Sequence, residues 1–207
     1  MRTAAIVRRT LADHRGITIS MALVGLGMAV LDLAIFPAYS KQLKDFQVPS
    51  ALEGFMGEAP IWTPEGFLNA EFFSWMPALY IIAGVIAATA VVAGEEGNGT
   101  LDLLLAQPVR RWQLLAAKGA GITIGVTLAA LAALPGFAIA KTWVAFDLGM
   151  WRITEATLFT LPLIWIFVAF GLWASAALPT RGAAGIVTTG TIVVTYFFNL
   201  VGATVSW

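Results

Sequence analysis

The chain has 207 residues, of which 59% are hydrophobic and 12% charged, with a formal net charge of zero. A soluble domain carries about twice that charged fraction, so the composition is that of a chain living in lipid, and the balanced charge excludes a basic nucleic-acid surface. Cysteine is absent and His14 is the only histidine, which excludes disulfides, thiolate metal sites and histidine-cluster metal chemistry.

Residues 1–15 are basic, with Arg2, Arg8, Arg9 and Arg15. Ala4, Val7 and Leu11 share one helical face. The segment reads either as an interfacial helix on the inner membrane surface, its arginines reaching anionic head groups, or as a basic tail that sets topology. The apolar run that follows is not closed by a small-residue cleavage site, so it reads as a retained span and not a signal peptide.

A span takes roughly 20 apolar residues at a rise of about 1.5 Å each. Five stretches qualify: 16–36, ended by Pro37; 77–93; 112–140, with a kink expected at Pro135-Gly136; 155–178, containing Pro162; and 183–205. The expected fold is all-α, a polytopic transmembrane helix bundle of one domain covering residues 1–207.

Lys and Arg placement orients it. With the N-terminus cytoplasmic, the inner side holds Arg2, Arg8, Arg9, Arg15, Arg110, Arg111, Lys118 and Arg181, and the outer side only Lys41, Lys44, Lys141 and Arg152. Trp62, Trp75, Trp143 and Trp151 then fall at the outer boundary, as an aromatic belt requires. Five spans leave the C-terminus outside.

The outer segment, 38–75, carries two helix-start signals. Ser50-Ala-Leu-Glu53 is a capping box, and Thr63-Pro64 places an N-cap before a proline at the first helical position. Phe67, Leu68, Glu71 and Phe72 follow at helical spacing. Such a helix either lies along the outer interface with its phenylalanines in lipid or folds over the span ends.

Between the second and third spans runs EEGNGTLDLLLAQPVRR, residues 95–111. Thr100 is a good N-cap, and Asp102 sits near the positive end of the helix dipole. Leu101, Leu104 and Leu105 form one apolar face, and Pro108 ends the helix after barely two turns. A helix this short needs a surface to dock on. It is a docking element or an inner loop resting on the bilayer.

Glu95-x-x-x-Gly99-Thr100-Leu101-Asp102-x-Leu104-Leu105-x-x-Pro108-Val109, followed by Arg110, Arg111 and Lys118, resembles the signature of ABC-2 type transporter permeases, E-x-x-x-G-T-[LI]-[ED]-x-L-L-x-x-P-[VI]. The sequence TPEGFL at 63–68 is similar to a subgroup with a long first outer loop. The resemblance covers nearly the whole chain. It implies a permease subunit of an ATP-driven exporter in the cell membrane of a prokaryote, paired with a second permease subunit, identical or different. A separate cytoplasmic ABC ATPase would receive the short inner helix, so Glu95, Gly99, Thr100, Leu101, Asp102, Leu104, Leu105, Pro108, Arg110 and Arg111 are the expected docking residues. ATP and magnesium would sit on that partner; this sequence contains no G-x-x-x-x-G-K-[ST] phosphate loop, and no cofactor is expected on the chain itself. The resemblance also implies six spans where the sequence offers five, so the sixth is expected in a longer product or a partner.

Asp32 is the one ionisable residue well inside a span, which makes it a transport-path residue or a structural one satisfied by water or Lys41. In the fifth span Thr188, Thr191, Thr195 and Asn199 either line a polar path or belong, with Gly182, Gly185 and Gly190, to a close-packed face. Gly121 and Gly125 form a G-x-x-x-G pair that predicts close packing. Two other classes remain. A membrane metalloprotease of the E-E-x-x-x-R kind fails at Thr100 and for want of paired histidines. A transporter not driven by ATP, or a membrane scaffold, has no reason to keep the 95–109 pattern.

Overall fold

The computed structural model describes residues 2–43, 59–91 and 110–204. Its elements are α1 (Arg2–Asp13), α2 (Arg15–Leu43), α3 (Pro64–Leu68), a π-helical turn (Asn69–Phe73), α4 (Met76–Thr89), α5 (Arg111–Leu131), α6 (Ala133–Ala140), α7 (Met150–Ala177) and α8 (Arg181–Thr204). No strand occurs among the described residues. Four stretches are long and apolar enough to cross a membrane: Arg15–Ser40, Pro64–Thr89, Trp112–Ala140 and Met150–Ala177. The fifth expected span coincides with α8, a helix of 24 residues standing outside those four. The all-α polytopic bundle expected from hydropathy is the architecture observed.

Three boundaries differ from expectation. Helix α2 does not stop at residue 36 but runs through Pro37 to Leu43. A proline removes one amide donor, and a helix with apolar turns on both sides can absorb that loss. The apolar helical stretch that holds the second crossing begins at Pro64, well before residue 77, because α3 and the π turn lead the chain into α4. Helix α7 starts at Met150, a turn before residue 155. The third span breaks where a proline should break it. Ala132 interrupts the helix three residues before Pro135, whose missing amide leaves a carbonyl one turn earlier without its bond.

The long helices alternate in direction. Parallel contacts pair Gly121 with Thr10 and Gly136 with Leu26 and Ala29, so α1–α2 and α5–α6 run the same way. The same order of contacts, Gly84 with Val168 and Thr89 with Ser175, makes α4 and α7 parallel to each other, while Gly119 with Leu172 and Thr127 with Trp165 set α7 antiparallel to α5. One end of the bundle therefore gathers Arg8, Arg9, Arg110 and Arg181. The other gathers Trp75, Trp143 and Trp151, all exposed. Those tryptophans are placed as a boundary belt would be.

Close approach uses the glycines of the third span. A methyl group at Gly121 would meet Thr10 Cβ at 2.8 Å, one at Gly125 would meet Thr18 Oγ1 at 2.9 Å, and one at Gly136 would meet the Leu26 carbonyl oxygen at 2.6 Å. The G-x-x-x-G pair is thus a packing seam, as expected from helix association in lipid. Helix α1 forms along the first turns of α5, with Val7, Thr10 and Leu11 turned inward and Arg8 and Arg9 exposed. Val7 and Leu11 of its apolar face are half-buried and Ala4 is exposed, and the charges on the other side include an Arg9–Asp13 pair at 3.8 Å.

At the tryptophan end the core is aromatic. Phe36 of α2 meets Phe67 of α3 at 5.2 Å between ring centroids and Phe146 at 4.9 Å, and Phe72 meets Phe137 of α6 at 4.8 Å. Tilted and edge-on pairs of this kind contribute about 0.5–1.5 kcal/mol each beyond area burial. Phe67, Phe72 and Leu68 are buried in the protein. Of the two readings of this segment, the one with phenylalanines in lipid is therefore corrected: the segment folds over the span ends. Thr63 caps it as the sequence indicates, its Oγ1 accepting from the Gly66 amide at 3.2 Å and donating to the Pro60 carbonyl at 2.6 Å. The Ser50 capping box lies outside the described residues.

Candidate functional site

The site singled out by sequence is the connection between α4 and α5. Residues 92–109 lie outside the described residues, and with them Glu95, Gly99, Thr100, Leu101, Asp102, Leu104, Leu105 and Pro108. The structure describes the two points to which that connection is attached.

The first is the end of α4. Ala90 and Val91 turn their amides to the Ala87 and Ala88 carbonyls, which tightens the last turn. Thr89 bonds back to the Val85 carbonyl through Oγ1 at 2.8 Å, and its own carbonyl accepts from Ser175 Oγ of α7 at 3.0 Å. The side chain of Ser175 is fully buried, so this bond satisfies a helix-end carbonyl that lipid could not. Sequence reading missed it; the available signal was a serine inside an apolar span, a residue type that bonds between helices there.

The second point is the start of α5. Arg110 is extended at φ −68°, ψ 141°, and its amide donates to Gln113 Oε1 at 3.2 Å while its carbonyl accepts from Gln113 and Leu114. Arg110 is exposed, and Arg111 opens the helix. The segment is thus tied at each end by hydrogen bonds to a membrane-crossing helix, both ties at the arginine-rich end.

The suspected path residues do not form one cluster. Asp32 is 2% exposed on α2, and its Oδ2 has no hydrogen-bond partner among the described residues. The carboxylate of Glu71 in the π turn lies within electrostatic range. The Lys41 side chain lies outside the described residues. Further along the same face of α2, Gly25 meets the buried hydroxyl of Tyr80, which has no hydrogen-bond partner among the described residues. Sequence reading missed Tyr80, since nothing about an isolated tyrosine in a span marks its hydroxyl as orphaned.

Thr188 belongs to another seam, fully buried against Gly171 of α7, its hydroxyl bonded to the Ala184 carbonyl at 2.8 Å. The Thr191 hydroxyl likewise returns to its own helix, at the Val187 carbonyl. Thr195 is exposed, and the Asn199 side chain lies outside the described residues. Methyl groups added at Gly182, Gly185 or Gly190 would meet nothing within 4 Å. Among the described residues, close packing within the chain is thus seen at Gly121 and not at Gly182, Gly185 or Gly190, whose sides are open.

No group of three or more His, Cys, Asp or Glu residues able to hold a metal occurs among the described residues. A comparison with curated proteins returned no match. The family model described as ABC-2 family transporter protein matches residues 9–206. With a match over almost its whole length and a bundle of membrane-crossing helices, the chain belongs to the ABC-2 transporter family and is a multi-pass membrane permease of ABC type.

Proposed function

We propose that this permease is the membrane subunit of an ATP-driven exporter, coupled to a separate cytoplasmic ATPase through residues 95–111. The observation that carries the reading is the match of Glu95 to Val109 to the family signature, in a segment flanked by helix ends bonded into the bundle. ATP and magnesium belong to the partner. Closure of the ATPase on its nucleotide moves the docked segment, and α4 and α5 move with it.

The arginine-rich end faces the cytoplasm of a prokaryotic cell, with the N-terminus on that side, by the bias of Lys and Arg. A second permease subunit covers α8, where Ile186, Val194, Phe197 and Phe198 are exposed beside the open glycines. The substrate path then lies between subunits, with Asp32, Thr188, Thr191, Thr195 and Asn199 as its candidate polar positions.

The absence of native cysteine makes orientation testable. A Trp143→Cys variant should react with an impermeant thiol reagent in intact cells, and Gly182→Cys only after permeabilisation; both positions are exposed. The reverse pattern inverts the bundle and removes the docking segment from the cytoplasm. The functional test is co-purification: the tagged chain, co-expressed with a candidate phosphate-loop ATPase subunit, should retain that ATPase in mild detergent. Loss of the ATPase under conditions where the permease stays folded contradicts the coupling reading.

A further inference from the structure

A pocket of about 350 Å³ opens at the tryptophan end, between the α3–π-turn segment and the first turns of α7. Its floor is apolar, with Leu68, Phe73 and Ile153, and Glu65 and Arg152 bring one charge of each sign to it. Both charged residues are exposed, and neither side chain makes a hydrogen bond or ion pair among the described residues. Two opposite charges left apart beside an apolar floor are complementary to a ligand that carries both charges and a hydrocarbon tail.

Depth and surroundings narrow the ligand class. The α7 wall runs from Arg152 through Ala156 to Thr160, which at 1.5 Å per residue is about 12 Å along the helix. Arg152 stands next to exposed Trp151 at the membrane boundary, and Thr160 next to Phe159, which is 75% exposed. The neighbouring ridge of α7 thus faces hydrocarbon, and the pocket reaches from head-group level into the acyl region. The Thr160 hydroxyl is turned away to the Thr157 carbonyl, which leaves the deep end apolar.

We infer that the pocket between α3 and α7 holds a zwitterionic phospholipid, its phosphate on Arg152, its amine on Glu65 and its upper acyl chain on Leu68, Phe73 and Ile153. A guanidinium matches a phosphate in charge and fork geometry. An anionic lipid leaves Glu65 facing surplus negative charge, and an uncharged diacylglycerol leaves both side chains without a partner. The bound lipid joins the folded cover formed by residues 59–75 to α7, so the cover is held in place partly by the membrane. This assignment stands independently of ATP coupling.

Native mass spectrometry of the full chain in detergent tests it, with palmitoyl-oleoyl phosphatidylethanolamine, the matching phosphatidylglycerol and the matching diacylglycerol titrated separately. The unmutated chain should bind one phosphatidylethanolamine about tenfold more tightly than either other lipid, as expected when a charged contact is satisfied only by that head group. Arg152→Gln and Glu65→Gln should each erase the preference, and Ala156→Trp, which fills the pocket, should remove the tight adduct and leave weak ones. Arg181→Gln, at the opposite end, should change nothing. Equal binding of all three lipids by the unmutated chain overturns the proposal. Tightest binding of phosphatidylglycerol overturns the zwitterionic assignment, and a tight adduct that persists in Arg152→Gln places the lipid elsewhere. Occupation of the pocket by a second copy of the chain would leave no lipid preference in a dimeric species, which also overturns it.

Discussion

Phe137→Ala should destabilise the bundle by about 3 kcal/mol, the low end of the roughly 3–5 kcal/mol that removal of a buried aromatic costs in soluble cores. The low end applies because helices in lipid gain little from transfer out of solvent, so the loss is mainly packing. Phe137 is fully buried on α6 and stacks edge-on against Phe72, which binds the 59–75 cover to the kinked third span. The ring is reached from two elements far apart in sequence, and neither can collapse onto the space without moving the cover. Thermal unfolding in detergent, followed by tryptophan fluorescence, should fall by roughly 6–12 °C for a chain of this size. Phe159→Ala, which removes a ring that is 75% exposed, should leave the midpoint nearly unchanged. Equal shifts for the two variants would mean that the cover is not part of the core.

That contrast also marks what was legible in the sequence. Hydropathy over 16–36, 77–93, 112–140, 155–178 and 183–205 gave five helical segments, and each contains or closely overlaps an observed helix. Local chemistry was legible too. The Thr63 cap, the break before Pro135 and the Gly121 seam are each dictated by a few adjacent atoms. Phe67 and Phe72 were not legible, because hydropathy measures escape from water and does not separate lipid from protein. The end of α2 was misplaced for a related reason: Pro37 costs one hydrogen bond locally, and tertiary packing decides whether the helix continues.

The candidate site divides along the same line. The docking pattern from Glu95 to Pro108 is contiguous, so it is readable without a structure. The groups beside its ends are not: Ser175 and Thr89 are 86 residues apart, and only the parallel packing of α4 with α7 brings them together. Glu65 and Arg152 meet at one pocket for the same topological reason. Asp32 was readable as an acid in a span, whereas its separation from Thr188 was not, since the two belong to different helix seams.

The largest functional effect is expected at Leu104, which the sequence spacing predicts to share an apolar face with Leu101 and Leu105. In the proposed coupling, Leu104→Asp puts a charge into a contact that needs apolar surface. Loss of one well-packed side chain at a protein contact costs about 2 kcal/mol or more, and an unpaired charge adds to it. Binding of the ATPase should weaken by at least roughly thirtyfold. Membrane insertion and the thermal midpoint should be unaffected, because residue 104 lies outside every span. Gln107→Ala, off that face, should bind as the unmutated chain does.

The deciding measurement is retention of the ATPase by tagged permease in mild detergent, together with ATP hydrolysis by the reconstituted complex, for the unmutated chain, Leu104→Asp and Gln107→Ala side by side. The proposed coupling predicts retention and stimulated hydrolysis for the first and third, and loss of both for Leu104→Asp with the permease still folded. If Leu104→Asp retains the ATPase and its stimulated hydrolysis at the unmutated level, residues 95–111 are an inner loop resting on the bilayer, and the docking account is wrong.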